Sequence, residues 1–145
     1  MKNSFLLVVS AGLILSVSAF AHKGATGIIK ERMDNFKASQ MALKQIFAAS
    51  KRNDFEAIAP LANQIKNWAE IMPTKFPIGS DGPPSEASQT IWTDFEGFKL
   101  AAKENFKAAS FLEVSALSGD SKATAKAVKQ LAGTCKSCHQ SYRSN

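Results

Sequence analysis

The stretch Cys135-Lys136-Ser137-Cys138-His139, close to the end of the 145-residue sequence, governs the interpretation of everything before it. C-x-x-C-H is the attachment pattern of a c-type haem, in which two thiols add to the vinyl groups of the porphyrin. On a helix Cys135 and Cys138 face the same way, because residues three apart are neighbours. His139 follows at once, and a proximal histidine is a standard protein ligand of haem iron. The stretch therefore predicts one covalently attached haem c, with His139 as the metal ligand.

Three other kinds of site can contain such a motif. A thioredoxin-like C-x-x-C requires a βαβ setting, and the sequence shows no strand pattern. A structural zinc site usually needs four Cys or His ligands, whereas the chain has two cysteines and two histidines, with His22 far away in sequence. A plain disulfide between the two cysteines stays open, but it would not require the adjacent histidine.

Residues 1–21 have the features of a secretory signal peptide. Lys2 supplies the positive start, residues 5–17 are mostly apolar but too short for a comfortable membrane span, and Ala19-Phe20-Ala21 offers a cleavage site. Cleavage after Ala21 would leave residues 22–145 as one periplasmic domain. It would also lower the formal charge from +6 to +5, because Lys2 is lost. Export suits the haem motif, since bacteria attach c-type haem outside the cytoplasmic membrane; an uncleaved anchor helix is the alternative.

The remaining chain contains four segments in which apolar residues recur three and four apart, as on one face of a helix. The predicted helices run from about Thr26 to Ala49, from the Asn53 turn to Met72, from Thr90 to Leu117, and from Ser121 to Tyr142. Their predicted buried faces are, in order, Ile29, Met33, Phe36, Gln40, Leu43 and Phe47; Ile58, Leu61, Ala62, Ile65, Trp68, Ala69 and Met72; Ile91, Phe95, Phe98, Ala102, Phe106, Ala109 and Leu112; and Ala127, Leu131, Cys135, Cys138 and Tyr142.

Capping and helix-breaking residues separate these segments. Asn53 with Glu56 resembles a capping box, and Pro60 predicts either a later helix start, near Ile58, or a kink. Asp120 is expected to cap the last helix. The stretch from Thr74 to Ser88 carries the prolines and glycines of a long crossover loop; a disordered linker is the alternative, but too little chain flanks it for two cores. The sequence therefore predicts an all-α, antiparallel four-helix bundle with the haem on its C-terminal helix.

The basic residues do not form a long run. This distribution argues against a nucleic-acid-binding protein. A surface dotted with lysines could favour anionic partners, although a solvated helix face explains it equally well.

An exported four-helix chain with C-x-x-C-H near its end resembles the class II cytochromes c, the cytochrome c′ family. The resemblance lies in Glu31–Lys37, Ile91-Trp92 and Cys135–Arg143. It implies that Cys135 and Cys138 hold the haem and that His139 binds the iron. It also implies a homodimer packed through the first two helices.

The resemblance further implies that the first helix covers the distal face of the haem. Low-spin members have a methionine ligand there, in an Arg-x-x-x-Met-Lys setting. Here Arg32 and Lys37 match that setting, but Phe36 occupies the methionine position. Phenylalanine has no lone pair for iron, so the chain is similar to members with a five-coordinate, high-spin iron. Met33 and Met41 are the rival sixth ligands, ahead of Lys37.

Two arginines complete the expected site. Arg32 resembles the family arginine that meets a haem propionate, since arginine pairs well with carboxylates. Arg143 lies four residues after His139, and the family arginine at this position flanks the proximal haem face. An ordinary surface charge is the alternative for both.

Three functions agree with these features. The first is binding of nitric oxide or carbon monoxide, and the second is electron transfer with a periplasmic redox partner. The third, a haem enzyme such as a peroxidase, is disfavoured because peroxide cleavage needs a distal acid–base group, and His22 is the only second histidine. We therefore expect a protein that is not an enzyme.

Overall fold

The computed structural model describes residues 24–144, which are mostly helical. Four long helices are present, α1 (Gly27–Ser50), α2 (Phe55–Ile71), α4 (Phe95–Leu117) and α5 (Ser121–Tyr142), together with the single-turn α3 (Thr90–Thr93) and a 3₁₀ turn (Met72–Lys75) after α2. The expected signal peptide and His22 lie outside the described residues. Among the helices of residues 24–144, none is long and apolar enough to cross a bilayer.

The four long helices form an antiparallel bundle in which α2 packs on α1 and α4, and α5 packs on α4 and α1. Phe36, early in α1, packs against Trp68, late in α2. Phe98, early in α4, packs against Tyr142, late in α5. Each of these pairs joins the start of one helix to the end of its neighbour. The predicted all-α, antiparallel four-helix bundle is therefore confirmed.

The core has two halves of different composition. At the end of the bundle where α1 meets α2, buried alanines surround larger aliphatic residues such as Ile46, Ile58 and Leu112. At the opposite end the core is aromatic. It contains Trp68, Met72, Phe76, Ile91, Phe98 and Ala102, with Phe36, Trp92, Phe95, Cys138 and Tyr142 packed around them. We call this second group the aromatic cluster, and the haem motif adjoins it.

The α2 face was predicted well, and the α1 face was not. Six of the seven residues predicted for α2 are buried and the seventh, Leu61, is partly buried. In α1, by contrast, Gln40 is exposed and Phe47 is 42% exposed, whereas Ile46 is fully buried. The buried face of α1 includes the small residues Ala42 and Ala49, so a pattern that follows large apolar residues falls about one residue to the side.

Two helix starts differ from the prediction. The carboxylate of Asp54, rather than the side chain of Asn53, caps α2 by accepting a hydrogen bond from the Ala57 amide at 3.2 Å. The helix starts at Phe55 rather than near Ile58, and it continues through Pro60. The predicted third helix is also interrupted, because Asp94 leaves the helical conformation between α3 and α4.

The start of α5 agrees with the sequence. The Asp120 carboxylate accepts a hydrogen bond from the Ala123 amide at 2.9 Å, as expected of an N-cap. Gly119, just before it, has a φ of +69°, a conformation that glycine adopts without steric cost. This turn fixes the residue at which α5 begins. The start in turn sets the direction in which the side chains of the last two turns of α5 point.

Candidate functional site

The last two turns of α5 place the haem motif beside the aromatic cluster. Cys135 and Cys138 are free thiols and are partly buried, and Cys138 packs against the cluster. The amide of Asn105, itself buried in α4, donates to Thr134 Oγ1 at 2.9 Å and to Cys135 Sγ at 3.6 Å. The two thiols are therefore held at the boundary between the core and the surface.

The electrostatic environment keeps all three residues of the motif uncharged. Burial raises the pKa of Cys135, and burial together with the neighbouring Cys135 raises the pKa of Cys138 to about 11. Partial burial and the Arg143 guanidinium lower the pKa of His139, while Glu86 opposes this shift. A neutral imidazole keeps a free nitrogen lone pair, as an iron ligand requires.

The ring of Phe36 faces His139 across the bundle. The two ring centroids are 6.4 Å apart, with the planes inclined by 68°. The Phe36 ring also packs edge to face against Trp68, with ring centroids 5.3 Å apart, and against Phe76, with ring centroids 6.4 Å apart. Phe36 of α1 and His139 of α5, both predicted from the sequence to belong to the haem site, therefore lie close together.

These residues fit a haem c. Two free thiols and an imidazole lie on one end of one helix, beside a surface of aromatic rings suited to a flat apolar group. The indole Nε1 of Trp68 is buried and has no hydrogen-bond partner among the described residues. Because buried donors are normally paired, this atom could donate to a polar group that the described part of the chain does not supply.

Arg32 is buried, with only 1% of its surface exposed, and it binds the crossover loop. Its Nη1 donates to Ser80 Oγ at 2.8 Å and its Nη2 to Ser85 Oγ at 2.6 Å, and Nη2 also donates to the Ser80 carbonyl oxygen. The guanidinium lies over the Phe76 ring, 4.5 Å from its centroid. The expected propionate contact stays a prediction, and any such contact would share the guanidinium with the loop.

Arg143 also binds the crossover loop, at the other side of the site. Its Nε donates to Glu86 Oε2 at 2.7 Å, and the Ser144 amide donates to the Glu86 carbonyl oxygen at 2.9 Å. The end of the chain is therefore fixed rather than frayed. Arg143 and Glu86 line the same open cavity of about 580 Å³ as Lys136 and His139, so Arg143 does lie beside the predicted iron ligand.

A contact that the sequence did not reveal joins α4 to the end of α5. The Tyr142 hydroxyl donates to Asp94 Oδ2 at 2.8 Å, and burial together with this carboxylate raises the pKa of Tyr142 to about 12. Gly97 lies directly below, because a Cβ there would overlap Asp94 Oδ2 and would approach the Tyr142 hydroxyl oxygen to 2.5 Å. Only the interruption at Asp94, which the helical periodicity concealed, creates this contact.

The methionines occupy different surroundings. Met41, one of the two rival ligands, lies in a groove of about 170 Å³ between α1 and α2 and is 52% exposed. Met33 is partly buried on α1. Met72, which sequence reasoning assigned only to the core, is 4% exposed and belongs to the aromatic cluster.

Comparison with known proteins gives consistent matches over the whole helical region. A family model described as cytochrome C′ matches residues 27–143. The chain is 30% identical to a cytochrome c′ of Rhodospirillum rubrum over 100% of both chains, and 31% identical to a cytochrome c-556 of Agrobacterium fabrum over 95% of both. The solved structure of cytochrome c prime from Shewanella frigidimarina is 25% identical, with a TM-score of 0.75, and the match covers 81% of this chain and 94% of that one.

Proposed function

The chain belongs to the cytochrome c′ family, and from this premise we propose that it is a periplasmic haem protein whose five-coordinate, high-spin iron binds small gases and exchanges electrons. Its cofactor is a haem c, attached covalently, and the family has a haem-binding, electron-carrier role. When bound, the haem supplies one-electron chemistry and a coordination position for a diatomic gas.

The residues of the motif would each hold the haem in a different way. Cys135 and Cys138 supply the two thioether sulfurs, and His139 supplies the iron ligand on the side of the open cavity. Arg143, held by Glu86, places a positive charge beside that imidazole. Arg32 fixes the loop that closes the same end of the bundle.

One observation carries the proposal: the residue that faces His139 from α1 is Phe36, at 6.4 Å between ring centroids. A phenyl ring offers iron no lone pair, so the distal position would have no protein ligand. The surrounding rings of Trp68 and Phe76 exclude water and favour small neutral molecules.

The same ring sets the expected order of gas affinities. An incoming molecule must displace Phe36 from its packing, and this cost bears hardest on weak ligands. We expect the ferrous protein to bind nitric oxide, to bind carbon monoxide more weakly, and to retain no dioxygen, because dioxygen is a weak ligand on which the cost of displacing Phe36 bears hardest. Peroxide cleavage needs an acid–base group beside the distal position, and Trp68 and Phe76, which pack against Phe36, do not supply one; this supports a role other than catalysis.

The spin state is tested by the optical and EPR spectra of the ferric protein. The wild type should be high-spin, and Phe36→Met should gain low-spin character because it supplies a thioether to the distal face. Phe47→Met is the matched control, since Phe47 lies on the same helix but is 42% exposed, and it should leave the spectrum unchanged.

A six-coordinate, low-spin electron carrier is the alternative function. The burial of Met72 within the aromatic cluster is the observation that favours it. A methionine–iron charge-transfer band in the wild type would establish this alternative and contradict the proposal. Met72→Leu and Met33→Leu would then show which thioether is bound.

Two further parts of the proposal concern location and assembly. Periplasmic location follows from the leader features of residues 1–21, and N-terminal sequencing of the exported protein should begin at His22. A homodimer through α1 and α2 is supported by the groove between them, where Met41 is half exposed. Sedimentation of the holoprotein should give twice the monomer mass, and Met41→Glu should shift it towards monomer.

A further inference from the structure

The charge of the protein is concentrated on α5. Residues 24–120 contain eleven basic and twelve acidic side chains, so their formal charge is −1. Residues 121–144 contain five basic side chains and not one acidic side chain. The net charge of residues 24–144, which is −1 + 5 = +4, therefore arises from α5 and from Arg143, which follows it.

The basic residues of α5 share one face. At 100° per residue, Lys122, Lys126, Lys129, Lys136 and Arg143 fall within about 60° of one line along the helix. We call the first four the lysine stripe. All four are exposed, and the stripe extends over about 21 Å at 1.5 Å per residue. Gly133, on the same line, is exposed, and a Cβ at this position would meet no atom within 4 Å, so that no side chain of this residue separates Lys129 from Lys136.

The stripe does not contribute to the stability of the helix. On α1 and α4, Lys30, Lys99 and Lys107 each pair with a carboxylate three or four residues away. Within residues 24–144 none of the stripe lysines forms a salt bridge. Lys122 and Lys126 are four apart, a spacing at which like charges destabilise a helix. The repulsion between these lysines therefore lowers the stability of α5. This indicates that the stripe serves binding rather than folding.

The stripe leads to the haem motif. Lys136 lies between the two cysteines in sequence and lines the same cavity as His139 and Arg143. A partner that lies along the stripe is therefore brought to the end of the bundle where the haem is attached.

We propose that the lysine stripe is the docking surface for an acidic electron-transfer protein. This inference rests on the electron-carrier role proposed above. One electron passes between the iron of the haem and the redox centre of the partner, so that one is oxidised as the other is reduced, and no proton or atom moves. Charge complementarity steers such partners together and raises the association rate.

An anionic membrane is the other surface that lysines could bind, but α5 lacks the second feature that membrane binding needs. Helices that lie on membranes insert large apolar side chains next to their basic ones. Here the apolar residues of α5, Ala127, Val128 and Leu131, are buried in the bundle. The other exposed residues along α5, such as Ser121, Ala125 and Gln130, are small or polar, which suits a protein partner.

The test uses the ferrous holoprotein and oxidised plastocyanin, a strongly acidic copper protein, as the probe. Stopped-flow spectroscopy gives the second-order rate constant of electron transfer at increasing ionic strength. The wild-type rate should fall with salt, because opposite charges attract. Lys126→Gln/Lys129→Gln should lower the low-salt rate by about five-fold or more and flatten its salt dependence. Lys136 and Arg143 are left unchanged because they line the His139 cavity.

The matched control is Lys44→Gln/Lys51→Gln, which removes the same charge from exposed positions on and just after α1. Its rate should stay close to that of the wild type. Carbodiimide cross-linking to plastocyanin, mapped by mass spectrometry, should join Lys122, Lys126 or Lys129 to carboxylates of the probe. This second measurement does not depend on electron transfer.

Four results would overturn the proposal. An equal loss of rate in the control pair would make total charge, rather than the stripe, responsible. Cross-links confined to α1 would move the docking surface. Stripe-dependent sedimentation with phosphatidylglycerol vesicles, together with unchanged plastocyanin rates, would identify a membrane instead. Wild-type protein without haem would refute the proposed function itself, whereas normal haem with unaffected stripe variants would refute only this inference.

Discussion

Replacement of Phe36 by alanine tests the distal side of the site most directly. The side chain is half-buried and packs edge to face on Trp68, with ring centroids 5.3 Å apart, and on Phe76 at 6.4 Å. Any gas that reaches the iron from this side must move the ring and weaken both contacts. Each such aromatic pair contributes about 0.5–1.5 kcal/mol. The displacement should therefore cost about 1–3 kcal/mol.

This cost converts directly into affinity. Since 1.4 kcal/mol corresponds to a factor of ten, Phe36→Ala should bind carbon monoxide about 5- to 100-fold more tightly than the wild type. The dissociation constant is measured by absorbance titration of the ferrous holoprotein. Thermal unfolding of the same samples checks that the variant is folded, because removal of a packed ring also lowers the free energy of unfolding.

Phe47→Ala is the control for this experiment. Phe47 lies on the same helix but is 42% exposed, at the other end of α1. Its substitution should leave the carbon monoxide affinity unchanged. Equal affinities in wild type and Phe36→Ala would refute the reasoning, because Phe36 would then not cover the distal face and the inferred register of α1 on the haem would be wrong.

Three further predictions concern the haem linkage, the close approach of Asp94 to Gly97, and the contact of Arg32 with the crossover loop. Acid–acetone extraction of mature protein should leave the haem on the polypeptide, and haem in the organic layer would exclude thioether attachment through Cys135 and Cys138. Gly97→Ala should lower the free energy of unfolding, measured by chemical denaturation, by about 1–3 kcal/mol, because the added methyl group would overlap Asp94. Alanine usually stabilises a helix relative to glycine, so a gain in stability would contradict the close approach of Asp94 to Gly97. Arg32→Gln should lower the free energy of unfolding by about 2–4 kcal/mol and expose the crossover loop to proteolysis, because the buried guanidinium forms several hydrogen bonds that would be lost. The control, Arg52→Gln at an exposed position, should change the free energy of unfolding by less than about 0.5 kcal/mol.

The sequence predicts α2 and α5 well because their signals are local. In α2 the large apolar residues are also the buried ones, so that the hydrophobic pattern and the packing coincide. In α5 the Gly119-Asp120 pair marks the start, and the bounds agree to the residue. The α1 face was misplaced because close packing of neighbouring helices selects alanine at Ala42 and Ala49. A small residue carries little weight in a hydrophobic pattern, although it decides how near two helices can lie.

The candidate site was predictable where chemistry depends on spacing along one helix, and less so where it depends on the crossover loop. The positions of Cys135, Cys138 and His139 follow from their spacing on α5. The partners of Arg32, Ser80 and Ser85, lie 48 and 53 residues away, and that of Arg143, Glu86, lies 57 residues away.

Both arginines therefore hold the same stretch of the loop, from Ser80 to Glu86, against the end of the bundle that bears the motif. This gives them a role that the family resemblance does not contain: they fix the loop around the haem end even before any contact with the haem is considered. Substitution of Arg32 and of Arg143 should accordingly differ in its effect on stability. Arg32 is 1% exposed, so solvent cannot reach the loop groups that it binds, whereas the side chains of Arg143 and Glu86 are each about half exposed. An exposed ion pair contributes little to stability, so removing Arg143 should alter the surroundings of His139 more than the stability of the fold.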